Sequence, residues 1–569
     1  MASLAIAAVE TSRSAEAHAR VNSAANGISA ALQIAAPLLW LPQAALIAYA
    51  IGNVAIGAAS FSIVWPAIGV LAIGILKTIL DSIGFRSAFR TARQAVTDLR
   101  AQAVAALAAR SPLDAERVQS GRAASVIGEQ AEMVVPYIAR FQIAKLRAVI
   151  VPLAILLAVS WLSWAAALVL FIAAPLIPIF MALIGWRAKA ASEAQLAETG
   201  NMNAFLLDRL RGIATIRALG AVDETAHRLR ANAESLRVRT MAVLRIAFLS
   251  SAVLELFSAL GVAMVAVYVG FHLLGQLNFG SWNGSLSLSE GLFILLLSPA
   301  FFEPLRELSA VWHDRAAGQA AIEELTSLAA PGRPLLGDAA DSARSSICFS
   351  RAPTVVVEKL CFRYAESESL VLDRFDLAIS AGEHVALLGP SGSGKSTLLS
   401  LLIGLAAPVS GSISIGGHNV SAETADDLRN GIAWIGQRPH IFAGTLASNV
   451  ALGRDVGRDD IAQALRFAKL GEIARTRGPD AIGENGIGLS GGEILRLAIA
   501  RVAAKPNARL ILADEPTAHL DAETARGIVD NLLILARDKT LIVATHDLTL
   551  ARRMDRIVQL EDWRLEKAA

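Results

Sequence analysis

A stretch rich in glycine and hydroxyl residues follows one apolar run and precedes another. The run Val385 to Leu388 predicts a buried strand, and Leu398 to Leu402 predicts the first turns of a packed helix. Between them stands Gly-x-x-x-x-Gly-Lys-Ser, whose glycines let successive backbone N–H groups surround a polyanion. The stretch consists of Gly389, Pro390, Ser391, Gly392, Ser393, Gly394, Lys395, Ser396 and Thr397. In this strand–loop–helix setting the pattern predicts a phosphate-binding loop, not a glycine-rich turn that happens to carry a lysine.

Several side chains suit the chemistry of a bound triphosphate. Lys395 is predicted to reach the β- and γ-phosphates, and the Ser396 hydroxyl to bind Mg²⁺. Asp514 and Glu515 end an apolar strand; Asp514 can hold Mg²⁺ through its water shell, and Glu515 can polarise the attacking water as general base. His546 ends a further apolar strand and is placed to contact the γ-phosphate and that water. A solvated acidic turn and a structural histidine are the alternatives, which the phosphate-binding loop disfavours.

Two further sites concern the nucleotide. Tyr364 can stack on adenine, although a tyrosine in a strand is usually a core residue. Ser490 and two glycines open a predicted helix and offer N–H donors to a second anion. This second stretch consists of Leu489, Ser490, Gly491, Gly492 and Glu493. Because the phosphate-binding loop already cradles one triphosphate, a second anion site predicts that ATP is shared between two domains.

The whole chain is long and apolar. It has 569 residues, of which 54% are hydrophobic, and a mean hydropathy of +0.50. These values predict at least two domains, one of them in a lipid bilayer. The net charge of +2 indicates no particular partner, and no nucleic acid is expected. Cys348 and Cys361 form neither a disulfide framework nor a metal cluster, which favours a reduced cytosolic setting for the second half.

Six apolar runs in the first half are long enough to cross a bilayer. They are residues 28–51, 54–76, two spans within 148–186, 246–274 and 291–310. Gly52-Asn53 predicts a tight joint between the first two, and residues 160–164 predict an outer turn. Lys and Arg lie on one side of every hairpin, so both chain termini are expected in the cytoplasm.

The predicted fold class is an all-α six-helix transmembrane domain followed by an α/β ATPase domain of the phosphate-binding-loop type. The predicted boundaries are a cytosolic tail at 1–26, the membrane domain at 27–325, a linker at 326–353 and the nucleotide-binding domain at 354–569. The tail lacks a basic start, so no signal peptide is expected.

The Leu-Ser-Gly-Gly stretch, the loop, the Asp-Glu pair and the histidine together resemble the ABC ATPase family. The resemblance implies that the signature residues close over ATP bound to a partner subunit. It also implies a Mg²⁺ and coupling contact for Gln437 and a D-loop role for Asp521. Glu493 replaces the commoner glutamine. Six spans ahead of one ATPase domain resemble a type IV half-transporter, which implies a dimer.

Two membrane segments are similar to those of CydD-type subunits of CydDC transporters. They are Arg239 to Glu255 and Leu297 to His313. This resemblance implies a bacterial inner-membrane protein paired with a second, CydC-like half-transporter. It implies export of cysteine and glutathione to the periplasm in support of cytochrome bd assembly, with haem as an additional ligand or cargo.

Ionisable residues in these segments are costly in lipid unless they pair or face a wet cavity. Arg245 and Arg306 suit an anionic cargo, and His313 is a candidate haem ligand. The full candidate cavity set is Arg245, Glu255, Glu303, Arg306 and His313. Ion pairing between subunits, or a position at the cytosolic membrane edge, is an equally strong interpretation.

Two other functions remain open. A homodimeric lipid or multidrug exporter would contain the same motifs. A regulatory subunit that binds ATP without pumping is the alternative from another class, and the intact Glu515 and His546 argue against it.

Overall fold

The chain forms two compact units in this computed structural model. The first comprises Met1–Val104 and Ser120–Ala329, and the second Ala105–Gln119 and Ala330–Ala569. We call them the helical unit and the α/β unit. The structure describes residues 27–57, 62–118, 120–175, 195, 198, 202, 205–206, 208–210, 212–277, 279–282, 284–337, 347–364, 369–477, 482, 488–518 and 520–560.

Long helices build the helical unit, since only a helix satisfies its own backbone polar groups within lipid. They are α1 (Ile28–Leu38), α2 (Trp40–Ile56), α3 (Val64–Ala108), α4 (Ser120–Gly128), α5 (Gln142–Leu162), α6 (Trp164–Pro175), α7 (Ile213–Ala218), α8 (Val222–Leu273), α9 (Leu288–Ala310) and α10 (Trp312–Leu328). A 3₁₀ turn, a short helix and a π-helical turn (Tyr137–Phe141) join α4 to α5. The last residues of α3 belong to the α/β unit.

Within the described residues, five helical stretches are long and apolar enough to cross a membrane. They are Ile28–Ile56, Val64–Ala108, Ser120–Leu162, Ala252–Leu273 and Leu288–Leu328. Helix α6 is shorter and begins where the fourth span is predicted. The rest of that predicted span lies outside the described residues.

The predicted joint at Gly52-Asn53 is wrong. Helix α2 continues through both residues to Ile56 and ends at Gly57, whose φ of 71° is left-handed. A Cβ on Gly52 would lie 1.9 Å from Ser289 Oγ, so this glycine serves close helix packing and not a turn. The first hairpin therefore turns later than the sequence predicts.

The outer turn after α5 agrees with the prediction. Ser163 is extended between α5 and α6, and its hydroxyl donates to Gly280 O at 2.7 Å. Trp282 Nε1 donates to Ser160 O at 2.7 Å. These bonds attach the turn to the segment between α8 and α9.

The core of the helical unit surrounds α9. Phe301, Phe302, Ile294 and Leu297 are almost completely buried. They pack with apolar residues of α5, α6 and α8. Several residues of the predicted sixth span therefore lie in the interior of this unit.

Two sheets form the α/β unit. The strands are β1 (Val355–Phe362), β2 (Leu372–Ile379), β3 (His384–Leu388), β4 (Ser410–Ile415), β5 (His418–Asn419), β6 (Ile432–Ile435), β7 (Leu510–Asp514), β8 (Thr540–Thr545) and β9 (Arg556–Gln559). One sheet has the order β2-β1-β4-β5 and is antiparallel; the other is parallel with the order β6-β7-β8-β3-β9. Strands β7 and β8 are buried throughout, as expected when helices cover both faces.

The helices of the α/β unit follow or connect these strands. They are α11 (Lys395–Leu402), α12 (Ala425–Asn430), α13 (Leu446–Ala451), α14 (Arg458–Phe467), α15 (Gly471–Arg477), α16 (Gly491–Ala503), α17 (Ala522–Ala536) and α18 (Leu548–Ala551). Together the two units confirm the predicted fold class: a helical membrane domain followed by an α/β nucleotide-binding domain.

One segment from the first half of the chain packs within the α/β unit. Segment 105–119 bridges to Pro334 through Arg110, and Leu335 N–H donates to Ala109 O at 2.8 Å. Leu113 packs against the core formed by the antiparallel sheet and its neighbours. The sequence did not predict this assignment.

Candidate functional site

The phosphate-binding loop joins β3 to α11, as predicted. Gly392 and Gly394 have φ values of 89° and 96°, in the region that favours glycine. A Cβ on Gly389 would lie 2.7 Å from Leu560 O and 2.8 Å from Ser393 Oγ. These three glycines are therefore required by the backbone path of the loop.

Lys395 is held inside the curve of this loop. Its Nζ donates to Gly389 O at 2.8 Å and to Pro390 O at 2.9 Å. The same Nζ lies 4.0 Å from Glu515 Oε1, and the side chain is only 6% exposed. A single ammonium group thus lies between the loop carbonyls and the acidic pair, where it can neutralise a bound polyanion.

Asp514 ends β7 next to the loop. Burial raises the pKa of Asp514, and the neighbouring Glu515 charge adds to the rise; a hydrogen bond from Ser396 and the Lys395 charge oppose it. Asp514 Oδ1 is buried and has no hydrogen-bond partner among the described residues. This set fits Mg²⁺, because a cation would satisfy the orphaned oxygen and favour the ionised carboxylate.

Glu515 and His546 contact each other directly. His546 Nδ1 lies 2.8 Å from Glu515 Oε2. Strands β7 and β8 are adjacent and pair Asp514 with Ala544, which brings both side chains to one sheet edge. Glu515 has a φ of 49°, an uncommon backbone for a non-glycine residue and frequent at functional sites. The pair can hold a water molecule and accept its proton.

Tyr364 lies beside the phosphate-binding loop. Its hydroxyl is 2.9 Å from Thr397 Oγ1. Its ring meets Phe362 edge to face with centroids 5.4 Å apart. The half-buried ring is therefore fixed at both ends next to the loop, as a base-stacking residue requires.

The predicted signature stretch forms the start of α16. Ser490 Oγ accepts from Glu493 N–H at 3.3 Å, and the Glu493 carboxylate accepts from Ser490 N–H at 2.7 Å. Glutamate fills this capping-box position as well as glutamine does, which explains the departure from the commoner residue. Ser490 and Gly491 are exposed and available to a second molecule.

The candidate membrane site divides into two groups. Arg306 Nη2 donates to Glu303 Oε2 at 2.7 Å, and Arg306 Nη1 lies 3.3 Å from Glu255 Oε2. The structure thus brings together three of the five predicted residues, across α8 and α9. Arg245 on α8 and His313 on α10 are exposed, and no described contact joins either of them to this cluster.

The comparisons with known proteins cover both halves of the chain. The family description "ABC transporter transmembrane region" matches residues 27–296, and "ABC transporter" matches residues 372–518. The Escherichia coli "Glutathione/L-cysteine transport system ATP-binding/permease protein CydD" is 36% identical over 455 residues, covering 78% of this chain and 75% of the relative. "Transport ATP-binding protein AarD" of Providencia stuartii is 36% identical over 497 residues, covering 86% and 83%.

The chain belongs to the ABC transporter family. A solved bacterial Atm1-family ABC exporter with ATP bound covers 97% of this chain and 94% of its own, with a TM-score of 0.72 and 23% identity. That likeness shows an exporter fold. As a member of this family, the ABC transporter described here is an ATP-hydrolysing transporter.

Two other family positions in this ABC transporter lie at element ends. Gln437 is exposed two residues beyond β6. Asp521 caps α17, its Oδ1 accepting from Thr524 N–H at 2.9 Å and Glu523 N–H at 3.1 Å. These backbone hydrogen bonds lower the pKa of Asp521, with that from Thr524 first.

Helix α16 contacts the segment after Gln437, which the sequence did not predict. Arg501, near the end of α16, donates to His440 O and to Asn449 O, both at 2.8 Å. Its Nη2 also donates to Asn449 Oδ1 at 2.9 Å. Burial first, and then the charge of Arg454, lower the pKa of Arg501. An arginine in an otherwise apolar helical stretch was the available signal.

A second missed contact lies in the helical unit. Arg147 donates to Gln33 O at 2.8 Å, to Asp81 Oδ1 at 2.6 Å and to Glu307 Oε1 at 3.1 Å. The arginine therefore joins α1, α3, α5 and α9. Arg147 is one of many arginines in the charged sequence after the second span, so the sequence did not distinguish it or indicate these long-range partners.

Replacing Tyr364 with alanine is expected to weaken ATP binding about tenfold, because aromatic stacking contributes about 0.5–1.5 kcal/mol beyond buried area. The maximal rate of hydrolysis should change little, since Tyr364 is assigned to adenine binding and Glu515 to the chemical step. Equilibrium titration with ATP measures the first effect and steady-state phosphate release the second. Unchanged ATP affinity would contradict the stacking assignment.

Proposed function

We propose that this chain is one half of an ABC exporter that moves the small thiols cysteine and glutathione from the cytoplasm to the periplasm. This transport supports cytochrome bd assembly. The observation that carries the proposal is 36% identity to a relative named as a glutathione/L-cysteine transport protein over 455 residues, a length greater than either half alone. A relative of the same name from Haemophilus influenzae, 35% identical over 454 residues, adds support.

Each residue of the nucleotide site has a role in ATP hydrolysis. Residues 389–397 and Tyr364 bind the triphosphate and adenine. Ser396, Asp514 and Gln437 hold Mg²⁺, which neutralises phosphate charge when bound. Glu515 accepts a proton from water as the water oxygen bonds to the γ-phosphorus and the bond to the bridging oxygen of ADP breaks.

His546 and the signature residues complete this site in two different ways. His546, 2.8 Å from Glu515, orients the carboxylate and contacts the γ-phosphate. The signature residues 489–493 serve ATP bound to the partner chain, and Asp521 lies at the same joint. The exposed Ser490 and Gly491 support this division of roles.

The working unit is a heterodimer with a second, CydC-like ABC half-transporter in the bacterial inner membrane, with both termini of this chain in the cytoplasm. A relative of Bacillus subtilis named CydC, 30% identical over 523 residues, supports the existence of such paired subunits. A dimer supplies each phosphate-binding loop with a signature stretch from the other chain.

The cluster of Arg306, Glu255 and Glu303 is the proposed cargo contact. Arg306 is 30% exposed and its Nε is a buried atom without a partner among the described residues. A guanidinium group suits the carboxylates of glutathione. Arg245 is a second cationic candidate. His313 is a single exposed histidine, so haem binding stays a prediction.

Transport into inverted membrane vesicles tests the cargo. Vesicles that contain this chain and its partner should accumulate radiolabelled glutathione or cysteine with ATP, and vesicles with this chain alone should not. Arg306→Gln should lower thiol uptake by about tenfold to a hundredfold, because charge-assisted contacts contribute about 1.5–3 kcal/mol. Arg228→Gln, at an exposed helical ion pair with Glu224, is the matched control.

Lipid transport is the second candidate function. An "ATP-dependent lipid A-core flippase" of Ralstonia nicotianae is 31% identical over 427 residues, covering 73% of this chain and 69% of the relative. Translocation of a labelled lipid by this chain alone as a homodimer, with no thiol uptake by the pair, would replace the thiol proposal with this one.

A further inference from the structure

Four residues join segment 105–119 to the chain that leads into β1. We call them the clasp: Arg110 and Asp114 on one side, Gly332 and Arg333 on the other. Arg110 Nε donates to Asp114 Oδ2 at 2.6 Å, and Arg333 N–H donates to the same oxygen at 3.0 Å. Ser111 N–H donates to Arg333 O at 2.8 Å. Both polar groups of the Arg333 backbone are therefore bound by segment 105–119.

The clasp is closed to solvent. The side chains of Arg110 and Asp114 are 7% and 4% exposed. Burial opposes ionisation of Asp114, but hydrogen bonds from Arg110, Arg333 and Glu116 outweigh it and lower the pKa of this carboxyl, so the pair stays charged at neutral pH. A Cβ on Gly332 would lie 2.0 Å from Arg110 Nε and 2.3 Å from Asp114 Oδ2. Only glycine leaves this pair in place.

The side chain of Arg333 contacts residues at the end of β1. Its guanidinium carbon lies 4.8 Å from the centre of the Phe362 ring, and Nη2 donates to Arg363 O at 3.1 Å. Phe362 is fully buried and meets Tyr364 edge to face. The Tyr364 hydroxyl contacts Thr397. Successive contacts therefore connect the clasp to the phosphate-binding loop.

Tyr364 lies beyond the paired part of its strand. The ladder with β2 ends at the pair Phe362 and Leu372, so sheet hydrogen bonds do not fix the backbone of Tyr364. Its described contacts are the hydroxyl bond to Thr397, the edge-to-face contact with Phe362 and packing against the core of the antiparallel sheet, and Arg333 contacts both preceding residues. A displacement of Arg333 would accordingly move the Tyr364 ring relative to the loop.

We propose that Arg333, held by the clasp, is a positioning residue that sets the Tyr364 ring for adenine and thereby tunes the affinity of this site for ATP. The inference rests on the proposed stacking role of Tyr364. Segment 105–119 includes the last residues of α3. Adenine binding is thus linked to segment 105–119 through residues outside the phosphate-binding loop.

A double-mutant cycle with two ligands tests this proposal on the full chain. Arg333→Ala, Tyr364→Ala and the double variant are titrated with ATP and with inorganic tripolyphosphate, which has no base. Arg333→Ala should weaken ATP binding about fivefold to tenfold and leave tripolyphosphate binding within about twofold of the wild type. The double variant should bind ATP no more weakly than Tyr364→Ala, because both changes remove one interaction.

The possible results separate the two assignments. Equal weakening of ATP and tripolyphosphate, or additive losses in the double variant, would overturn the positioning role and leave Arg333 a structural residue. Normal ATP affinity in Tyr364→Ala would instead refute the stacking role on which the inference rests. Arg351→Ala, at an exposed arginine of the same unit, is the control and should match the wild type.

Two milder variants keep the test decisive if Arg333→Ala does not fold. Arg333→Lys keeps the charge without the planar fork and should weaken ATP binding by a smaller factor, again without affecting tripolyphosphate. Gly332→Ala leaves Arg333 intact but disrupts Arg110 and Asp114. It should raise the KM for ATP about fivefold at a nearly constant kcat. Wild-type KM in Gly332→Ala would exclude the clasp from the proposal.

Discussion

Replacing Glu515 with glutamine should lower ATP turnover by about 10²–10⁴-fold, the range that general acid–base catalysis supplies. The amide has the same shape but cannot accept a proton from water. The side chain is 10% exposed and its Oε2 contacts His546 at 2.8 Å, so the amide can keep a hydrogen bond there. Phosphate release under saturating ATP measures the loss, and ATP affinity should be retained.

Glu472→Gln is a suitable control for this change. Glu472 is on α15 in the same unit, and its side chain is 92% exposed. Its replacement should leave turnover at the wild-type rate. Full ATP turnover in Glu515→Gln would remove Glu515 from the chemical step and revive the interpretation of an acidic turn.

Replacing Lys395 with methionine should weaken ATP binding about 10²-fold, since hydrogen bonds to a charged group contribute about 1.5–3 kcal/mol each. Lys395 is 6% exposed, and its Nζ lies 2.8 Å from Gly389 O and 4.0 Å from Glu515 Oε1. Methionine keeps the length of the side chain but removes the charge that opposes the triphosphate. Equilibrium titration with ATP measures the loss.

Lys359→Met provides the comparison for Lys395. Lys359 is exposed on β1, so its loss removes one positive charge from the same unit away from the loop. ATP affinity should then remain that of the wild type. Equal weakening by both variants would mean that net charge, and not the position of Lys395, controls nucleotide binding.

The nucleotide site could be predicted because its residues follow strand ends. Gly389 and His546 come directly after parallel strands and Asp514 ends one, and such ends meet at one sheet edge. The loop motif also places glycine at positions 392 and 394, where the backbone has a positive φ. Local sequence was therefore sufficient for most of this geometry.

The membrane half was less predictable because its contacts are long-range. The pair Gly52-Asn53 is typical of a turn, but Gly52 instead allows close packing against Ser289, a residue far along the chain. Arg306 pairs with Glu255 from another helix, whereas Arg245 and His313 lie apart from that cluster. Helical periodicity identifies an exposed or buried face but does not identify its partner.

The hydrogen bonds of Arg501 connect the C-terminal end of helix α16 to the segment after Gln437. The helix has 13 residues and is about 20 Å long, with Ser490 at one end and Arg501 near the other. A displacement of the segment after Gln437 should therefore reach this end of the helix, because Arg501 binds that segment at three acceptors. In the proposed dimer, where Ser490 serves ATP bound to the partner chain, helix α16 thus connects the segment after Gln437 in one chain with the nucleotide of the other.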